Sequence, residues 1–205
     1  MTIDSQFEQG ASFLDGLSQE ERNFFVAFRY SAWDGKVLKP GQRYPVIYDE
    51  ERGLQVFQDR YPRDIKDMFA RAYGIIKREF EADGRKVKSV AFVQEKAPKE
   101  TSLFKRMDIA HVGAAKWHNH DEGRPGEQAI IVLSDDTFTE FAVGEIGENS
   151  GDFHENVEQA LAEGKAQKVS LPAGTVGHMN KETVHRRGAF KDQEARVVAV
   201  VSFES

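Results

Sequence analysis

Residues 116–122 read Lys116-Trp117-His118-Asn119-His120-Asp121-Glu122, and another histidine, His185, stands far downstream inside Thr183-Val184-His185-Arg186-Arg187-Gly188. In an extended strand, residues i, i+2 and i+4 share one face. His118, His120 and Glu122 would then lie on one side, with Asn119 and Asp121 on the other. Imidazole and carboxylate hold divalent first-row metals well, and a site that activates oxygen keeps coordination positions open. Two ligands from this strand, either His118 with His120 or His120 with Glu122, could be joined by His185 in a facial set of three. Lys116 shares the parity of His118, although an exposed lysine is the commoner outcome. Trp117 points the other way, as a core residue.

The surrounding sequence supports a β-rich setting for that strand. Short apolar or alternating runs recur from Val87 onward, at residues 90–93, 106–110, 115–120, 128–133, 139–143, 168–171, 175–178 and 196–203, separated by turns rich in Gly, Pro and Asp. Such a series predicts a jelly roll or barrel. One helical insertion, roughly residues 154–164 with Val157, Ala160 and Leu161, interrupts it. The first half is more helical. Ser18-Gln19-Glu20-Glu21 has the spacing of a capping box ahead of Phe24, Phe25, Val26 and Phe28, which predicts a helix over 18–32. Pro62 then opens a second, amphipathic helix in which Ile65, Met68, Phe69, Ala72, Tyr73, Ile76 and Phe80 recur at spacings of mostly three and four, up to Asp83-Gly84. Between the helices, residues 35–61 are broken by Gly and Pro, with strand-like pieces at 46–48 and 54–57. The expected fold class is α+β, mainly β, with the N-terminal helices packed on one face of the β-structure. The 205 residues are expected to form a single domain, 1–86 as helical cover with flanking strands and 87–205 as β core.

Composition narrows the chemistry. There is no cysteine, which excludes zinc fingers, iron–sulfur clusters and thiol catalysis, and leaves histidine, carboxylate and amide as side-chain ligands. Lysine and arginine number 28 against 34 aspartates and glutamates, a formal charge of −6 that disfavours general attraction to nucleic acid or acidic membranes. The N-terminus lacks a basic and apolar leader, and no stretch approaches the roughly 18 apolar residues of a membrane span. A soluble, cytoplasmic protein acting on a small-molecule substrate is expected. No Gly-x-Ser-x-Gly elbow and no phosphate-binding Gly-x-x-x-x-Gly-Lys loop occurs. The sequence does not decide between a monomer and a homo-oligomer.

The pattern over residues 105–203 resembles the double-stranded β-helix oxygenases that use Fe(II) and 2-oxoglutarate. Their motif is His-x-Asp or His-x-Glu on one strand, a distal histidine on another, and an arginine or lysine about ten residues later that binds the cosubstrate's far carboxylate. The resemblance implies His118 as first ligand, His185 as distal ligand and Arg196, eleven residues beyond His185, as cosubstrate anchor. Arg187, two residues from His185, is the rival anchor. The departure lies at the second ligand. With His118 first, the carboxylate slot holds His120 and the site is three-histidine, as in thiol dioxygenases of the cupin group; with His120 first, Glu122 keeps the carboxylate. Cupins also pair their His-x-His strand with Pro-x-Gly and a following histidine, for which Pro172-Ala173-Gly174 and His178 are candidates, so His178 is an alternative third ligand. The resemblance thus implies an Fe(II)-dependent dioxygenase with 2-oxoglutarate as cosubstrate. A cupin-type dioxygenase or isomerase without 2-oxoglutarate, and a non-catalytic small-molecule-binding domain on the same scaffold, are the alternatives.

Overall fold

The computed structural model describes residues 2–31, 43–49, 53–56, 63–96, 116–119, 127–133, 139–147, 152–188 and 195–204. The expected strand at 106–110, the two ends of that expected at 115–120, and position 122 lie outside these residues. Among the described residues, eleven strands and three helices follow in the order β1 (Thr2–Ser5), β2 (Glu8–Ser12), α1 (Gln19–Ser31), β3 (Arg43–Asp49), β4 (Gly53–Val56), α2 (Arg63–Ala82), β5 (Val87–Lys96), β6 (Gln128–Val132), β7 (Thr139–Gly147), α3 (Phe153–Ala162), β8 (Ala166–Leu171), β9 (Thr175–Met179), β10 (Val184–Arg187) and β11 (Ala195–Phe203).

The strands form two sheets. The larger has the order β2-β9-β6-β11-β5-β3-β4; in the smaller, β7 pairs with β8 along one edge and with β10 and β1 along the other. All these pairings are antiparallel. Residues 116–119 join the smaller sheet beside β10 through the bridge of His118 to His185. From β5 onward the chain passes back and forth between the sheets, which is the winding of a double-stranded β-helix. It makes neighbours of strands that are distant in sequence.

Strand parity divides the core. On β11, Val197, Ala199, Val201 and Phe203 face one cluster, while Val198 and Val200 face another. The first cluster lies under the helices, where Phe25 and Phe28 of α1 and Phe69, Ala72, Tyr73, Ile76 and Phe80 of α2 cover Val90, Phe92, Ile131 and Val176 of the larger sheet. The second fills the space between the sheets, joining Val93, Ile130, Val132, Met179 and Val198 to Phe141 and Leu171. A third lies on the outer face of the smaller sheet, where Val157 and Ala160 of α3 meet Trp117, Ala142, Ile146, Ala166 and Val184. The helices expected at 18–32 and after Pro62 are α1 and α2, and the insertion near 154–164 is α3.

The helix ends obey local rules. Glu21 N–H donates to Ser18 Oγ (3.3 Å) and Ser18 N–H donates to Glu21 Oε2 (3.0 Å), the reciprocal bonds of a capping box. Gly84 takes φ +79°, and Arg85 N–H returns to Phe80 O (3.2 Å), closing α2 in the left-handed conformation that glycine adopts without strain. β1 and β2 extend the expected fold: the N-terminal residues run along the β7 and β9 edges.

Candidate metal centre

His118 and His185 form a hydrogen-bonded antiparallel pair. His118 N–H donates to His185 O (3.1 Å) and His185 N–H to His118 O (2.9 Å), so the two side chains leave the sheet on the same side. Their rings lie 4.4 Å apart, centroid to centroid. His185 stands directly opposite Phe141, its ring 6.1 Å away, and Phe141 belongs to the cluster between the sheets. The pair therefore faces the interior of the β-helix. His185 is buried and His118 exposed, which puts the pair at the margin of that interior.

Each imidazole has its Nδ1 beside a backbone carbonyl, Lys116 O at 3.2 Å for His118 and Thr183 O at 3.0 Å for His185. A carbonyl can only accept, so this arrangement assigns the proton to Nδ1 and leaves a lone pair on Nε2. That is the tautomer in which a metal-binding histidine is commonly fixed by its second nitrogen. The two donors present thus suit a divalent first-row metal. Among the described residues no group of three or more histidines or carboxylates is assembled closely enough to hold one. Positions 120 and 122, from which the sequence draws the further ligand, are outside the described residues.

Arg187 shares the inward face of β10 with His185, pairs in register with Thr139, and donates from Nη1 to Gly188 O (3.1 Å). Arg196 occupies the second position of β11, in register with Glu95 and at the parity of the inward-facing Val198 and Val200. His178 is placed elsewhere. With Val176 it faces the helix side of the larger sheet, 6.3 Å from the Phe80 ring and with Arg85 Nη1 2.5 Å from its Nδ1. Burial, then the neighbouring Arg85 charge, push its pKa below the ordinary histidine value. Its side chain leaves β9 on the face opposite Met179, and it lines a cavity of about 250 Å³ that reaches from Arg85 and Phe203 round to Met179 and Phe7. His178 therefore stands apart from the His118–His185 pair.

Opposite-parity residues hold the pair from behind. Trp117 is 2% exposed and packs in the cluster beneath α3. Its indole N–H donates to Glu158 Oε1 (2.8 Å), and the Arg186 guanidinium lies 4.0 Å from its ring centroid. Arg186 also donates to Glu140 Oε2 (2.7 Å) and to the same Glu158 oxygen (2.7 Å). Burial raises the Glu158 pKa, but the bonds from Trp117 and Arg186 outweigh it and hold the carboxyl below its ordinary value. Lys116 reaches Asp152, the N-cap of α3, at 3.0 Å. Sequence reading placed Trp117 in the core but assigned no role to Glu158, Glu140 or Arg186, because their partners are distant in sequence.

Solved structures share this fold. The epimerase SnoN in complex with Fe3+, alpha ketoglutarate and nogalamycin RO matches with a TM-score of 0.56 at 13% identity, over 98% of this chain and 80% of that one. The non-heme alpha ketoglutarate dependent carbocyclase SnoK from nogalamycin biosynthesis matches at 0.52 and 15%, over 98% and 80%. AviO1 from Streptomyces viridochromogenes Tue57 matches at 0.54 and 15%, over 99% and 91%. No protein-family model matches the sequence, and no curated protein matches it. The fold is the double-stranded β-helix found in iron- and 2-oxoglutarate-dependent oxygenases, as the sequence motifs implied. At these identities the likeness is one of fold. Among the described residues no helix is long and apolar enough to cross a membrane.

Proposed function

We propose that this chain is a non-haem Fe(II) oxygenase that uses 2-oxoglutarate as cosubstrate to hydroxylate a small organic molecule. The observation that carries the reading is the bridged pair His118 and His185, each with Nδ1 beside a backbone carbonyl, the tautomer in which Nε2 is the nitrogen that ligates a metal. Two imidazole nitrogens facing a β-helix interior suit Fe(II) with several positions left open.

His118 stands across from His185, and the sequence supplies His120 or Glu122 as the further ligand, since both share strand parity with His118. With His120, three neutral imidazoles would leave the metal its full double positive charge; with Glu122, a carboxylate would reduce it to one. Bound there, iron supplies the oxidative chemistry with 2-oxoglutarate as its two-electron co-reductant. Arg196 is the proposed anchor for the cosubstrate's far carboxylate, which a guanidinium can grip with two parallel bonds. Phe141 and the Phe7 ring stacked on it at 3.9 Å give the interior beside His185 an apolar wall that limits water. Hydroxylation is the simplest outcome of this chemistry, and the named neighbours, a carbocyclase and an epimerase, show that the scaffold serves others.

The test is anaerobic reconstitution with Fe(II) followed by 2-oxoglutarate. A weak visible charge-transfer band is expected on adding the cosubstrate, and both metal content and band should be lost in His118→Ala and His185→Ala. Iron binding without the band would favour the three-histidine dioxygenase that needs no 2-oxoglutarate. Unchanged metal content in both variants would remove the metal centre altogether.

A further inference from the structure

Among the described residues the two histidine-bearing segments meet at one backbone bridge, with His118 and His185 on its inner side. The register at this bridge decides where the two imidazoles point. A slip by one residue would turn a histidine to the opposite face, and a slip by two would carry it about 7 Å along the sheet. On the outer side, the residue before His118 and the residue after His185 meet: Trp117 and Arg186 stack, guanidinium carbon to ring centroid 4.0 Å. Glu158 of α3 then accepts from both on a single oxygen, Oε1, at 2.8 Å from the indole N–H and 2.7 Å from Arg186 Nη1. Arg186 is held in turn by Glu140 of β7, with both side chains near one-tenth exposed. This three-way contact can form only when Trp117 and Arg186 are side by side, which is the register that sets His118 across from His185.

We infer that Glu158, acting through Trp117 and Arg186, is a positioning residue that locks the register of the two candidate metal ligands from the far side of the sheet. It touches neither metal nor substrate. The helix inserted between β7 and β8 thereby becomes part of the metal site's support. The inference rests on His118 and His185 being ligands of one metal ion.

The experiment is an anaerobic Co(II) titration of the full chain followed by visible absorption, with wild type, Glu158→Ala, Glu158→Gln, Trp117→Phe and Glu163→Ala compared. Glu158→Ala should weaken Co(II) binding about tenfold, the low end for loss of a ligand-supporting group, and should change the ligand-field bands at saturating metal. Glu158→Gln keeps an acceptor oxygen and should recover most of the affinity. Trp117→Phe keeps a ring under Arg186 but loses the indole donor, so it should reproduce the Glu158→Ala change if that variant folds poorly. Glu163→Ala, on an exposed pair with Lys165, should match wild type. Wild-type affinity and bands in folded Glu158→Ala and Trp117→Phe would overturn the inference while leaving the ligand reading intact. If wild type binds no Co(II), or His118→Ala and His185→Ala bind it unchanged, the ligand reading falls and the inference with it.

Discussion

His118 and His185 owe their encounter to a backbone exchange and their orientation to two carbonyls, Lys116 O and Thr183 O. The chemistry of a candidate ligand is thus set by neighbours only two residues away in each case. Two arginines compete for the cosubstrate carboxylate. Arg187 lies on the face of His185, whereas Arg196, on β11 of the larger sheet, is in register with Glu95. Arg196→Ala should weaken 2-oxoglutarate binding at least tenfold, the loss expected from removing a charged hydrogen-bonding pair, while iron content stays at the wild-type level. Anaerobic titration of the charge-transfer band measures it; an effect in Arg187→Ala alone would move the anchor to β10. His118, His120, His185 and Arg196 were singled out in the sequence because imidazole suits a metal and guanidinium a carboxylate, and of these the structure brings His118 and His185 together. Glu158 was not legible. An exposed-looking glutamate on a helix is ordinary until its two donors are seen.

α1 begins as its sequence dictates, because Ser18 and Glu21 satisfy each other's groups. Glu21 also ties α1 to α2 through Arg78 Nη1 (2.7 Å), and the Arg78 bond, followed by those from Ser18, lowers its pKa from 4.5 to about 2. The folded value lies below the unfolded one. Its stabilisation is therefore present above about pH 4.5 and lost as pH falls towards 2. Glu21→Gln should melt at a lower temperature than wild type at pH 7, and the gap should close in thermal melts near pH 2; a gap independent of pH would assign the effect to something other than the carboxylate. α2 was readable from its long apolar stripe, and its stop from Asp83-Gly84. β1 and β2 were not readable. Thr2–Ser5 and Glu8–Ser12 are short, polar and without clean alternation, and they are strands because β7 and β9 offer them open edges.

At the scale of the whole molecule, the larger sheet separates two apolar regions, one under α1 and α2 and one between the sheets that borders the candidate metal centre. Loss of packing on the helix side should cost stability without touching the ligands. Ile76→Ala, at a fully buried position of α2, should cost about 2–5 kcal/mol in denaturant unfolding and leave Co(II) affinity unchanged; a parallel loss of affinity would show that the helix layer and the metal centre are one cooperative unit. Taken alone, the amino-acid sequence determined the β-rich class, the two covering helices and the inserted helix, and it named the candidates for a metal site. Those features follow from local periodicity, capping and side-chain chemistry, which act over a few residues. Only the tertiary structure decided that His185 rather than His178 stands opposite His118, and that Trp117, Arg186 and Glu158 meet behind the pair. The physical reason is that antiparallel pairing between sequence-distant strands sets both register and face, and no local propensity specifies which distant strand a short segment will join.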